Sequence, residues 1–494
     1  MRVFKSKVAV LILITLISNS LGLLREIILT SKYGTSSIND YIILAQIIPV
    51  MILGFTLFTF SNSFIPFYNK NKEIYNSSYI ITICVYVVLS ILSLSIIIYY
   101  PIISIIYNYF FNIEASITLI NLTKIFLIVT IFLTLTSIPL SYLQIKEKFY
   151  IANISNMIIV NIIIILVLLS YNSVYSFSIG YALGTFISFL LIFFYSLKYD
   201  FKIVKIDNSG QELAFSFVHL SITIMTINIV NQIFNVIDRS LATQLIDGTV
   251  TAIYLSNRIV NLIIMIVVTP LITIIFPKLS SYFFNDDLKN AQNITKLMIK
   301  MILIISIPLS IFIFFNSEAI ISIMFERGNF SNDDSRMTST LLSCYSFSIV
   351  LWCLREVLSK IYISQYKNRS LLLNTIGLVI LNIIIGIVFI NEFGAVGIPF
   401  SSGLSLLISV SLLIPLLFKD NLNSYSSFVV LKKSFKDIII FVFACLIISF
   451  LFNFTNYYFN FLFSIILNGI LLLLFYIMLL KLNIFSFKNL IRSI

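Results

Sequence analysis

Long apolar runs recur from one end of the chain to the other, separated by short polar segments. Each run holds about the 20 residues that an α-helix needs to cross the ~30 Å hydrocarbon core of a bilayer. The pattern predicts an all-α polytopic membrane protein with about 14 transmembrane helices. The predicted spans cover residues 8–30, 41–67, 78–99, 119–145, 151–170, 174–197, 213–242, 249–277, 296–316, 336–362, 370–390, 394–418, 437–454 and 457–480.

The composition agrees with this class. Hydrophobic residues make up 59% of the chain and charged residues 11%, and the mean hydropathy is +1.05. These values exclude an ordinary soluble domain. The single histidine and the four cysteines lie in apolar runs without metal-ligand spacing, so we expect them to pack as core or lipid-facing residues and predict no metal site: His219, Cys84, Cys344, Cys353 and Cys445.

The charged residues predict how the chain is oriented. Lysine and arginine concentrate in the loops that follow even-numbered spans, whereas the opposite loops are short or acidic. By the positive-inside rule, both termini face the cytoplasm, which suits a bacterial cytoplasmic (inner) membrane protein. The net charge of +12 is spread over span ends rather than gathered with stacking aromatics. We therefore expect no nucleic-acid partner.

Charge and polarity also suggest an internal organisation. Residues 198–212 are polar and read as a linker between two six-span halves. Spans 1–2 and 7–8 share a charge near the end of the first helix and a polar, proline-bearing second helix, which favours a two-lobed transporter with pseudo-symmetric halves. The predicted parts are an N-lobe (1–200), a C-lobe (201–420) and spans 13–14 (421–494). Residues 100–118 and 317–335 read as interfacial helices.

Ionisable side chains inside the spans are the strongest functional signal. Near a bilayer centre each costs about 2.5–3.5 kcal/mol, so it persists mainly where it faces protein or a wet cavity. Neither Arg25 nor Arg258 has an acidic residue three or four positions away. We therefore expect both to be unpaired and to bind a diphosphate in a cavity between spans 1, 2, 7 and 8, because the guanidinium fork suits phosphate. For Glu26, a charge partner and a helix-end residue both stay open.

The remaining charges in the spans favour structural roles. They are expected to snorkel towards a helix end or to pair with neighbouring helices: Lys124, Arg239, Arg355, Glu356 and Lys360. The sequence has no Walker A motif, glycine-rich nucleotide loop, HExxH or nucleophile elbow. We predict a transporter rather than an enzyme, with no cofactor and no nucleotide partner. Its energy would come from Na⁺ or H⁺ coupling, from the membrane potential or from the substrate gradient.

Several spaced motifs resemble one family, the MurJ/MviN lipid II flippases. They lie at residues 18–49 (containing LGLLRE), 61–66, 236–260, 276–280 and 325–334 (FERGNFSNDD), with a weaker match at 362–370. The resemblance covers nearly the whole chain. It implies the multidrug/oligosaccharidyl-lipid/polysaccharide exporter fold, in which two six-helix lobes form a V-shaped central cavity and helices 13 and 14 carry a groove for the lipid tail. It also implies membrane lipid and an undecaprenyl-diphosphate-linked glycan as partners.

The resemblance assigns functional residues by position. Arg25 and Arg258 fall on the family's cavity arginines and Asp40 on its span 2 acid, and we include Glu26 as a fourth substrate-binding candidate. Asp238 and Asn382 fall on a cation site.

Other family positions differ in this chain. Asn19 replaces an arginine, Leu53 and Gly54 replace an arginine pair, the acid just beyond falls around Leu57 and Phe58, and Gly386 stands where the cation site has an acid.

The departures bear on the substrate. Lipid II, the peptidoglycan precursor, is the family default, and a lipid-linked O-antigen or exopolysaccharide repeat unit is the alternative that the lost arginines favour. A drug/cation antiporter of the same fold would need acidic rather than basic cavity residues. A glycosyltransferase or polymerase would show an acidic pair in a large outer loop, which is missing. We therefore expect a flippase for a lipid-linked oligosaccharide.

Overall fold

A computed structural model describes residues 2–105, 107, 116–146, 148, 150, 154–205, 210–285, 287–365, 367–419, 435–458 and 461–481. Every regular element in these ranges is helical, and none of them contains a strand. Ten segments in the described chain are long and apolar enough to cross a membrane. The predicted class, an all-α polytopic membrane protein, is confirmed.

The helices are named here in chain order. They are α1 (Arg2–Tyr33), α2 (Ser37–Leu44), α3 (Ile47–Phe55), α4 (Leu57–Asn71), α5 (Ser77–Ile105), α6 (Ile117–Leu135), α7 (Ser137–Ile145), a π-helical turn (Ile154–Ile159), α8 (Val160–Ser170), α9 (Ser176–Leu197), α10 (Gly210–Ala242), α11 (Thr249–Phe284), α12 (Leu288–Phe325), α13 (Asn332–Ser364), α14 (Asn368–Phe393), a 3₁₀ turn (Gly394–Val396), α15 (Gly397–Lys419), α16 (Phe435–Tyr458) and α17 (Phe461–Lys481).

The span-forming segments match the predicted runs, although their number of crossings stays a prediction. One of the ten, Arg369–Ile414, covers both predicted spans 11 and 12. Three shorter apolar helices, Ile154–Ser170, Ala444–Asn456 and Phe463–Met478, fall on predicted spans 5, 13 and 14. The interfacial helix predicted at 317–335 is wrong, because α12 runs on to Phe325 and α13 begins at Asn332. Its counterpart at 100–118 lies largely outside the described residues.

Spans 2 and 4 are broken helices, and prolines explain two of the three breaks. A proline ring clashes with the carbonyl four residues earlier. Pro49 accordingly follows the break at Ala45 and Gln46, and Pro139 follows the break at Thr136. A second break in span 2 lies at Thr56, whose hydroxyl is 2.8 Å from that of Thr134 on α6. The sequence predicts these spans but not their division.

The chain forms two compact units, and unit 1 comprises residues 1–251 and 327–330. Its core joins α4, α5 and α7 to the start of α10, as shown by Phe67 and Phe217, whose ring centroids are 4.9 Å apart. The predicted linker begins inside this core. Phe201 is buried with its ring 5.6 Å from that of Tyr142, and the Val204 amide donates to the Thr82 hydroxyl at 3.0 Å. The linker is therefore docked at its start.

Unit 2 comprises residues 252–326 and 331–494. Helices α12 and α13 pack side by side, and α16 and α17 pack against α12. Asn468 on α17 donates to Asn316 on α12 at 2.9 Å and to Asn456 on α16 at 3.0 Å. Buried amides within a membrane need such partners, so this network fixes the last two helices on the unit. The lobe boundaries at residues 200 and 420 stay a prediction.

Candidate functional site

Arg25 is held by an ion pair within its own helix. Its Nη2 donates to Glu26 Oε1 at 2.6 Å, and its Nη1 donates to Asn161 Oδ1 on α8 at 3.2 Å. Glu26 is buried. The prediction that Arg25 is unpaired is therefore wrong, because its long side chain reaches the adjacent residue although neighbours on a helix point about 100° apart. Of the two roles left open for Glu26, the structure supports the charge partner.

Two aromatic rings complete the surroundings of Arg25. Its guanidinium carbon lies 5.2 Å from the ring centroid of Phe177 and 5.7 Å from that of Tyr181, both on α9. Such cation–π contacts stabilise a cation in a place where water is scarce. Sequence reasoning missed Asn161, Phe177 and Tyr181, since an amide or an aromatic inside a span looks like an ordinary packing residue.

Arg258 has a different environment, on α11 in unit 2. Asn257 donates to the Tyr345 hydroxyl at 3.1 Å and Ser256 to the Thr338 carbonyl at 2.9 Å, so this turn of α11 is fixed against α13. Within the described chain the buried Nε of Arg258 has no hydrogen-bond partner. A buried orphan donor is unusual and is what an anionic ligand would satisfy. Because Arg25 and Arg258 lie in different units, their shared cavity stays a prediction.

Asp40 caps a helix. Its Oδ2 accepts the Gly248 amide at 2.7 Å, and its Oδ1 accepts the amide and hydroxyl of Thr251 at 2.8 and 2.5 Å. These donors lie at the N-terminal end of α11, where amides lack intrahelical partners and negative charge is favoured. The structure thus gives Asp40 a capping role that the sequence did not reveal. Its contact with substrate stays a prediction.

Two glycines bring the family-like motifs together at the C-terminal end of α1. Gly248 has φ +89°, and a Cβ there would lie 2.1 Å from the Thr35 carbonyl oxygen. Gly328 has φ +62°, and a Cβ there would lie 2.2 Å from the Ser31 carbonyl oxygen. The Asn329 amide donates to that same carbonyl at 2.8 Å. Only glycine fits both positions, so these motif residues serve backbone packing.

The positions where the family has further arginines are filled differently. Asn19 donates to the Thr15 carbonyl of its own helix at 2.9 Å. A Cβ on Gly54 would lie 3.0 Å from Cγ of Gln232, because α10 approaches α3 closely, and Leu53 is buried. An arginine at position 54 would have to displace Gln232. The packing of Gln232 against Gly54 therefore agrees with the loss of an arginine at this position.

The candidate cation residues are both buried but belong to different units. Asp238 lies on α10, and Asn382 on α14 accepts hydrogen bonds at Oδ1 from Ser401 at 3.3 Å and Ser402 at 3.4 Å. Gly386, one turn further on, offers no side-chain oxygen. In the part of the chain that is described, no three His, Cys, Asp or Glu residues come together as a metal site. A joint cation site of Asp238 and Asn382 stays a prediction.

Comparisons with known families and proteins agree with the family resemblance of the motifs. The family model described as "Lipid II flippase MurJ" matches residues 11–469. A probable lipid II flippase MurJ of Buchnera aphidicola subsp. Schizaphis graminum is 29% identical over 387 residues, covering 74% of each chain. A protein with the same description from Treponema pallidum is 24% identical, covering 79% of this chain and 77% of its own.

Solved structures agree on the fold. A lipid II flippase MurJ in an inward closed conformation superposes with a TM-score of 0.79 at 23% identity, covering 95% of this chain and 98% of that one. An inward-facing multidrug transporter of the MATE family, from the MOP superfamily, gives a TM-score of 0.65 at 11% identity, covering 80% of this chain and 92% of that one. The predicted exporter fold is confirmed, and its V-shaped cavity and the groove on helices 13 and 14 stay predictions.

Proposed function

This chain belongs to the lipid II flippase MurJ family, and we propose that it moves lipid II from the inner to the outer leaflet of a bacterial cytoplasmic membrane. The observation that carries the proposal is the family match across residues 11–469. The curated relatives, described as probable lipid II flippases, favour this substrate over an O-antigen or exopolysaccharide unit. The half-buried Arg25 and Arg258 favour an anionic lipid over the cations that an antiporter of this fold would carry.

The proposed mechanism places the substrate diphosphate on Arg25 and Arg258. Arg258 has a buried Nε that a phosphate oxygen would satisfy. At Arg25 an arriving phosphate would compete with Glu26 for the guanidinium, so Glu26 would hold the cation in place between transport cycles. By the positive-inside rule both termini face the cytoplasm, where lipid II would enter. The step is translocation, and no covalent bond is made or broken.

Complementation tests the proposal. We expect this chain to support growth of a bacterium depleted of its own lipid II flippase, but only at raised expression. The reason is the loss of arginines at Asn19 and Gly54, each of which would otherwise give a charge-assisted hydrogen bond of roughly 1.5–3 kcal/mol. That corresponds to about tenfold or more in affinity. The measurement is colony formation against expression level.

Matched variants make the test specific. Arg258→Ala should fail at every expression level and Arg258→Lys should rescue partly, because an ammonium provides charge without the planar fork. Arg336→Ala, at an exposed arginine on α13, should rescue like the native chain. Full rescue at ordinary expression would refute the weakened affinity. Failure of the native chain, with restored surface polysaccharide in a strain lacking its O-unit flippase, would refute lipid II as substrate.

Energy coupling is a second element of the proposal. A cation held by Asp238 and the Asn382 carbonyl would couple transport to Na⁺ or H⁺, and the Ser401 and Ser402 hydroxyls could each turn an oxygen towards it. Hydroxyl, amide and carboxylate oxygens are hard ligands that suit such ions. The glycine at 386 removes one charge from the family pattern, which favours a weakly bound cation.

Neutralising Asp238 tests this coupling. Asp238→Asn should lower ion-dependent transport at least about tenfold, because one charged ligand is replaced by a dipole. The measurement is flipping in proteoliposomes with and without a Na⁺ or pH gradient. Asp247→Asn, at an exposed acid in the next loop, is the control with equal charge change. Transport and ion dependence equal to the native protein would show that Asp238 has no coupling role.

A further inference from the structure

Three lysines and three tyrosines gather where spans 4 and 6 end in unit 1. Lys146 Nζ lies 5.4 Å from the ring centroid of Tyr142, Lys148 Nζ lies 5.3 Å from that of Tyr199, and Lys198 Nζ lies 5.9 Å from that of Tyr195. All three lysines are exposed. We name this set the lysine–tyrosine cluster: Tyr142, Lys146, Lys148, Tyr195, Lys198 and Tyr199.

Hydrogen bonds join the three tyrosines of the cluster to one another. The Tyr142 hydroxyl donates to the Tyr199 carbonyl at 2.8 Å, and the hydroxyls of Tyr195 and Tyr199 are 3.1 Å apart. The hydrogen bond with Tyr195 lowers the pKa of Tyr199, and the charges of Lys148 and Lys198 act in the same direction. Lysines from two separate segments, Lys148 and Lys198, therefore both act on Tyr199.

Of the acidic residues within the two segments that form the cluster, the structure describes Asp200. Asp200 adopts φ +63° and turns the chain after span 6, and its carboxylate lies 3.5 Å from Lys202 Nζ. It thus has a lysine of its own outside the cluster. Glu147, between the two lysines of the other segment, lies outside the described residues. An ammonium above a ring keeps N–H groups free to bond an anion.

An exposed apolar stripe on α9 leads directly to the cluster. Spacings of four, four, three and four residues place its members on one helix face. The stripe consists of Leu183, Ile187, Leu191 and Phe194, which are all exposed, and it ends at Lys198. In a chain that spans a membrane, such a face meets acyl chains, and the lysines at its end meet headgroups.

We propose that the lysine–tyrosine cluster binds the phosphate of an anionic phospholipid whose acyl chain lies along this stripe. The combination of cations, tyrosine hydroxyls and a continuous apolar track suits a lipid better than a soluble anion. The site belongs to unit 1 alone and is independent of the transported substrate. The bound lipid would fix the turn at residues 198–205, which carries the docked Phe201.

The test is a lipid titration of the full-length protein followed by native mass spectrometry. We expect phosphatidylglycerol to bind more tightly than phosphatidylcholine with the same acyl chains. The double variant Lys146→Gln/Lys148→Gln should weaken phosphatidylglycerol binding by about tenfold or more, as two interfacial lysines are lost, and leave phosphatidylcholine unchanged. Lys146→Arg/Lys148→Arg should retain the affinity, because it keeps the charges.

Two controls can overturn the proposal. Lys70→Gln/Lys72→Gln removes the same charge from two exposed lysines at the end of α4 and should change binding less than twofold. Equal losses in both glutamine variants would show general surface attraction and no site. Soluble glycerol phosphate should not displace the lipid at millimolar concentration. Displacement of the lipid by glycerol phosphate would show a site for phosphate alone. If Lys146→Gln/Lys148→Gln bound phosphatidylglycerol as tightly as the native protein, the cluster would not be a lipid site.

Discussion

Replacing Arg25 with alanine should both abolish transport and destabilise the protein. Transport is lost because the proposed diphosphate site loses a fork of charged donors. Stability falls because buried Glu26 loses the guanidinium 2.6 Å away, and removing one partner of a buried ion pair costs roughly 3–5 kcal/mol. The contacts with Asn161, Phe177 and Tyr181 are lost as well. The measurements are complementation and the thermal unfolding midpoint in detergent.

A double variant separates the two effects. Arg25→Ala/Glu26→Ala removes both charges and should regain most of the lost stability while transport stays absent. If the double variant transports, Arg25 serves only to neutralise Glu26, and the phosphate role is wrong. If Arg25→Ala alone has the same thermal unfolding midpoint as the native protein, the ion pair contributes little to stability. Arg336→Ala should leave both measurements unchanged, since this arginine is exposed.

The spans could be predicted from the sequence because each needs only a local run of apolar residues. The ends of the spans and the breaks within them were harder to predict. Helix α12 extends to Phe325, well past the predicted end at 316. The prediction stopped early because polar residues interrupt the apolar run after 316. The division of span 4 at Thr136 depends on Pro139 and on a partner helix. Local hydropathy finds a crossing, but the backbone path within it is set by tertiary packing.

The candidate site residues stay a prediction, and several of their contacts could not be read from the sequence. A search at three and four residues along a helix left Arg25 without a partner, although Glu26 beside it was kept open as a charge partner. The donors to Asp40 lie 208 and 211 residues further along the chain, so no local sequence pattern predicts this helix cap. The close approach of Gln232 to Gly54 likewise joins two distant helices. Long-range pairing is the information that one sequence lacks.

Asp40 is the second position where a large effect is expected. Asp40→Ala would leave the Gly248 amide and the Thr251 amide and hydroxyl without their acceptor in a buried site. Losing a helix cap costs about 0.5–2 kcal/mol, and each buried donor left unsatisfied adds about 1–3 kcal/mol. We therefore expect a clear fall in the thermal unfolding midpoint and loss of complementation as the first turn of α11 frays.

The amide variant and a neighbouring acid refine this prediction. Asp40→Asn keeps one acceptor oxygen but turns an NH₂ towards a backbone donor, so it should lower the midpoint by an intermediate amount. Asp247→Asn removes the same charge from an exposed residue next to Gly248, in the loop that Asp40 contacts, and should leave the midpoint unchanged. If Asp247→Asn destabilises as much as Asp40→Asn, the effect is one of overall charge. If Asp40→Ala unfolds like the native protein but fails to transport, Asp40 acts on the substrate, and the capping role is not what the helix requires.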